Sequence, residues 1–134
     1  MSVQTILVVD DDQMIRRFLR TILESSGFRV EEARDGFEGL ACCARHSYDL
    51  VIVDLMMPQK NGVEMIGELR LRAPSATILA LSGLSLDESE LVGDAATAGA
   101  DDFAQKPFDN SVFLSKVKML LAIRDENACA GDEV

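Results

Sequence analysis

The chain has 134 residues, 48% of them hydrophobic and 27% charged, and a formal net charge of −10 at pH 7. That length suits one domain with one real core, and the acidic balance argues against nonspecific nucleic-acid binding and against an anionic membrane surface, which both call for clustered Lys and Arg. No apolar run approaches a membrane span, the residues before Ile6 lack the basic start of a signal peptide, and Cys42, Cys43 and Cys129 fit neither a zinc pair nor a disulfide framework, so free thiols in a reducing cytoplasm are expected.

Thr5 to Val9 is a continuous apolar run that reads as a central strand and ends in Asp10-Asp11-Asp12. Ile15, Phe18, Leu19, Ile22 and Leu23 then recur at helical spacing, with Arg16, Arg17 and Arg20 elsewhere on the helix. Asp12 is the expected cap, and Gly27 the stop. Phe28 to Glu31 alternates as an edge strand does. Asp35 and Glu38 have the spacing of a capping box, opening a helix whose apolar face is expected to be Phe37, Leu40, Ala41 and Ala44.

Leu50 to Val53 is the second fully apolar run, which suits a strand buried on both faces. It stops abruptly at Asp54, before a Met56-Met57-Pro58 turn. Asn61 and Glu64 cap a third helix that buries Met65, Ile66 and Leu69. Thr77 to Leu81 is a fourth strand ending at Ser82-Gly83. Ser85 and Glu88 read as another capping box for a helix from Glu88 to Ala98. With Gly93 and an Ala-rich face, that helix is expected to be the most mobile. Asp102 to Gln105 is a short polar edge strand ending in Lys106-Pro107. Asp109 caps a last helix with Phe113, Val117, Leu120 and Leu121 inward. The expected domain covers residues 1–123, and residues 124–134, without periodicity, are expected to form a flexible acidic C-terminal tail.

Five strands alternating with five helices imply an α/β fold, a parallel sheet covered on both faces. Placing the apolar strands centrally and the polar ones at the edges gives the order 2-1-3-4-5. Its topological switch point lies between the first and third strands. Asp10, Asp11 and Asp54 meet there, with Ser82 and Lys106 on the same rim. Taken one by one, these residues have plainer readings: Asp54 as a turn or helix cap, an acid of the Asp10–Asp12 run as an N-cap, Lys106 as a solvated lysine.

Taken together, Asp10-Asp11 after the first strand, Asp54 in a D-x-x-M-P-x-x-x-G stretch, Ser82 after the fourth strand and Lys106-Pro107 after the fifth resemble the receiver domain of two-component response regulators. The resemblance covers residues 4–123. It implies a doubly wound, flavodoxin-like fold in which Asp54 accepts a phosphoryl group from a histidine kinase or histidine phosphotransfer protein. It further implies Mg²⁺ held by Asp10, Asp11, Asp54 and the main-chain carbonyl of Met56, with Ser82 and Lys106 contacting the phosphoryl oxygens. Phe103 fits a core position equally with the family's switch aromatic. With no second domain in the pattern, the expectation is a cytoplasmic single-domain regulator of the chemotaxis type. It would signal to a downstream protein through its fourth helix, fifth strand and fifth helix, without nucleic acid or membrane.

Chemistry agrees with those roles. Bringing a phosphoryl group to a carboxylate adds negative charge to a negative site, so cations must be at hand. Hard oxygen ligands suit Mg²⁺, a lysine supplies a point charge and a serine a hydroxyl donor. Two other readings stay open. A phosphatase or phosphotransferase working through an aspartyl-phosphate would ordinarily carry a second acid two residues after the nucleophile, where this chain has Met56. A receiver-like binding module independent of phosphorylation would ordinarily lack one of the acids or the lysine, and this chain has them all.

Overall fold

The structure, a computed structural model, describes residues 3–57, 61–83, 88–106 and 109–132, with the backbone alone for 88–91 and 125–132. Strands β1 (Thr5–Val9), β2 (Arg29–Ala33), β3 (Leu50–Asp54), β4 (Ile78–Ser82) and β5 (Asp102–Gln105) alternate with helices α1 (Gln13–Ser25), α2 (Gly36–Arg45), α3 (Gly62–Arg72), α4 (Glu88–Ala98) and α5 (Asn110–Asp132). All four strand pairings are parallel, in the order β2-β1-β3-β4-β5.

The apolar runs are unbroken because both faces of the sheet are covered. Successive side chains of a strand point to opposite faces. Leu7, Val9, Val51 and Val53 join Leu40 of α2, Met65, Ile66 and Leu69 of α3 and Ala95 of α4 in one core. Ile6, Val8, Leu50 and Ile52 join Leu19 and Leu23 of α1 and Phe113, Val117, Leu120 and Leu121 of α5 in the other. The registers align Val8 with Ile52 and Ile52 with Leu79, so the carboxyl ends of the three central strands lie on one edge of the sheet, each a residue further on from β1 to β3 to β4.

The expected caps form. Asp12 accepts from Met14 N at 2.9 Å, Asp35 from Glu38 N at 2.8 Å and Asn61 from Glu64 N at 2.9 Å. Asp109 accepts from the amides of Ser111 and Val112 at 3.0 and 3.1 Å. Gly27, at φ +94°, follows α1. Pro58, Leu84, Ser85 and Pro107 lie outside the described residues.

Three expectations are corrected. In α2 the inward face is Gly36, Gly39, Leu40 and Cys42, while Phe37, Ala41 and Ala44 face outward. The helix lies so close to the sheet that a Cβ on Gly39 would sit 2.8 Å from Met65 Cε and 3.1 Å from Val9 Cγ2. Glycine carries no apolar signal, so periodicity turned the helix the wrong way. In α1, Phe18 is exposed and Arg16 is buried with Leu19 and Leu23. Finally, α5 stays helical through Asp132, where a structureless tail was expected from residue 124. No Gly or Pro interrupts residues 111–130, and Ala, Glu and Arg favour helix without an apolar face.

Candidate functional site

Four of the five strands, all but β2, deliver functional groups from their carboxyl ends to a single rim. Asp10 follows β1 and is fully buried. Its Oδ1 accepts from Asp12 N at 2.9 Å and its Oδ2 from Lys106 Nζ at 2.9 Å. Asp54 closes β3, also buried; its Oδ1 accepts from Met56 N at 3.2 Å and its Oδ2 lies 3.2 Å from Lys106 Nζ. Ser82 closes β4, and its carbonyl accepts from Lys106 N at 2.7 Å. That bond carries the β4–β5 ladder one residue past β5 and sets Lys106 beside the acids. Asp11 is exposed at the mouth.

The turn after β3 is closed by Gly62 N donating to Leu55 O at 3.2 Å. A Cβ on Gly62 would lie 2.3 Å from the Asp54 carbonyl oxygen, so only glycine lets α3 begin this close to the end of β3.

Asp10, Asp11 and Asp54 each offer a carboxylate oxygen within 4.8 Å of the others, the one such acid, His or Cys group among the described residues. Three carboxylates against one ammonium leave the fully ionised site with two negative charges in excess. The structure registers that excess at Asp54. Burial first, then repulsion from Asp10, push its carboxyl up to about 7, against the opposing pull of Lys106 and the Met56 amide. At Lys106, burial works against the charge, but its contacts with Asp10 and Asp54 outweigh burial and hold the ammonium above its usual range. An all-oxygen donor set short of two positive charges fits a hard divalent cation such as Mg²⁺.

Phe103 is half-buried on β5, packed against the core that contains Ala80 and Ala95. Met56 is 52% exposed, and its main-chain N–H donates to Asp54 Oδ1. His46 is the exposed C-cap of α2, away from the acids. Arg16, expected away from the apolar face of α1, instead shares the buried face with Leu19 and Leu23. Its spacing with Leu19 and Leu23 was the available signal, and its charge overrode it. A cavity of about 610 Å³ lined by Arg70, Thr77, Asp101 and Leu120 lies at the opposite, amino end of β4. Open parallel sheets bind ligands at the carboxyl end, where the acids are.

A family model described as the response regulator receiver domain matches residues 6–118. The chain belongs to the response regulator receiver family. This receiver is 39% identical over 116 residues to response regulator MprA of Mycobacterium sp. (strain KMS), an alignment covering 87% of this chain and 50% of that protein. It is 40% identical over 116 residues, with the same coverages, to the KDP operon transcriptional regulatory protein KdpE of Escherichia coli (strain K12). The receiver thus spans about half the length of these curated relatives. Among solved structures, the CheY-like receiver domain protein of Methanospirillum hungatei JF-1 superposes with a TM-score of 0.87 at 31% identity, covering 94% of this chain and 99% of that one. Chemotaxis protein CheY4 of Vibrio cholerae gives 0.81 at 28%, covering 89% and 99%. Receiver domains of this family act as regulators in two-component signalling. No helix among the described residues is long and apolar enough to cross a membrane.

Proposed function

We propose that Asp54 accepts a phosphoryl group from the phosphohistidine of a histidine kinase or phosphotransfer protein. The observation that carries this is a buried carboxylate at a strand end, 3.2 Å from a lysine ammonium and beside two further acids. A carboxylate oxygen of Asp54 attacks phosphorus, the P–N bond to imidazole breaks, and the imidazole leaves with its electron pair and takes a proton. Lys106 favours the ionised form of Asp54 before transfer and pairs with phosphoryl oxygens during it. The Ser82 hydroxyl, at the neighbouring strand end, donates to another phosphoryl oxygen. Asp10, Asp11, Asp54 and the main-chain carbonyl of Met56 would hold Mg²⁺. When bound, the ion supplies the positive charge that the site lacks and orients phosphoryl oxygens.

The phosphorylated form signals through its own surface. The phosphoryl group draws Ser82 inward, Phe103 on the adjacent strand turns into the space released, and α4 follows. The face made by α4, β5 and α5 is then read by a downstream protein in the cytoplasm. The same site phosphorylates itself from a small phosphodonor and dephosphorylates itself with water.

Incubation with acetyl phosphate and Mg²⁺ followed by intact mass measurement tests the acceptor. Wild type is expected to gain one acid-labile phosphoryl group and Asp54→Asn none. Full labelling of the variant would sink the assignment.

A further inference from the structure

Arg16 is 8% exposed, and arginine is almost never buried unless it is paired. Its guanidinium divides between two partners. Nη1 donates to the main-chain carbonyl of Asp10 at 2.6 Å and Nε to Glu32 Oε1 at 3.1 Å. Glu32 Oε2 is held in turn by Arg20 Nη1 at 2.9 Å, and Arg20 Nη2 donates to the Val30 carbonyl at 2.7 Å. The chain of contacts therefore starts at the acid loop, crosses α1 and ends on β2.

The gripped carbonyl belongs to the peptide that joins Asp10 to Asp11. That peptide is planar and rigid, and the two acids leave from its two ends. Its setting fixes ψ of Asp10 and φ of Asp11, so releasing its carbonyl loosens the backbone from which both carboxylates project. Asp10 N, on the preceding peptide, is tied to the Ala33 carbonyl at 3.2 Å, and Asp12 N, on the following one, to Asp10 Oδ1 at 2.9 Å. Between those two fixed peptides, the Arg16 contact holds the Asp10–Asp11 plane from its carbonyl side. Tolerances for a working constellation are about 0.5 Å and 10–20°, within what a freed peptide would lose.

We propose that Arg16, braced by Glu32 and Arg20, is a positioning residue that sets the aim of Asp10 and Asp11 toward the cation. This rests on the reading of the acid cluster as a Mg²⁺ site. Charge and position make opposite predictions. If Arg16 acted through its charge, neutralising it would bring more negative potential to the cation and tighten binding. If it positions the loop, its loss loosens binding, by about tenfold or more, as outer-shell partners of metal ligands do.

Mg²⁺ alone is titrated calorimetrically into wild type, Arg16→Met and Arg16→Lys, with amide spectra of Asp11 and Asp12 followed by NMR. The expected result is a Kd raised about tenfold or more in Arg16→Met, with displaced Asp11 and Asp12 amides before metal is added. Arg16→Lys keeps the charge but cannot bridge both acceptors, and its Kd is expected to rise as well. It decides the matter if Arg16→Met does not fold. A Kd within twofold of wild type, or tighter, in the folded variants overturns the proposal while leaving the Mg²⁺ site intact. Wild type without measurable Mg²⁺ binding would overturn the site and this inference with it.

Discussion

Asp54 is costly to the fold in its ionised state, and Asp54→Asn is expected to stabilise the metal-free protein in a pH-dependent way. Burial and Asp10 raise its carboxyl from 3.8 to about 7. Between those values the native state holds a proton that the unfolded chain has released, so stability falls as pH rises from 4 toward 7. Below 4 both states are protonated and nothing is lost; above 7 the full penalty is present. A shift from 3.8 to about 7 corresponds to about 4 kcal/mol at pH 8 and about 2 kcal/mol at pH 5, at 1.36 kcal/mol per pH unit. Asn has nearly the shape of Asp and no charge, so the variant escapes this penalty. Urea unfolding in EDTA, followed by far-UV circular dichroism because the chain has no Trp, is compared at pH 5 and pH 8. The stabilisation is expected to grow by about 2 kcal/mol between them. A gain independent of pH, or a loss at pH 8, would refute the argument that Asp54 is held partly protonated by burial and by Asp10.

Mg²⁺ is expected to stabilise the wild type by about 2.7 kcal/mol at a hundredfold excess over its Kd. Thermal melts check this, and an equal shift in Asp11→Ala would count against the acid cluster as its site. Ser82→Ala is expected to accept phosphate at Asp54 yet to show weak amide shifts across α4 and Phe103 on beryllofluoride binding; shifts equal to wild type would remove Ser82 from the switch. Met56, apolar, half-exposed and two residues after Asp54, cannot orient an attacking water. Met56→Glu is expected to lose its phosphoryl group faster than wild type, and an unchanged or slower loss contradicts that reasoning.

Burial on both faces is a local property of composition, and so β1 and β3 were legible as central strands from Ile6–Val9 and Leu50–Val53 alone. With the two polar strands pushed to the edges, the strand order followed. The helix starts were legible for the same reason. A cap satisfies the amide two or three residues ahead, and Asp12, Asp35 and Asn61 need nothing more distant. The convergence of Asp10, Asp54, Ser82 and Lys106 came from the same topology, since parallel strands put all their carboxyl ends on one rim.

What depended on distance between elements was decided by the tertiary structure alone. Phe37 faces solvent because α2 approaches β1 and α3 closely enough for Gly39 to be the contact. Arg16 has the spacing of the buried face of α1, but the Asp10 carbonyl and Glu32 carboxylate that let a charge stay there lie on other elements. The sequence alone placed Asp54 on the rim. Its neighbours make it reluctant to ionise: the pull of Lys106 and the push of Asp10 act through space across a buried site, where charges are weakly screened.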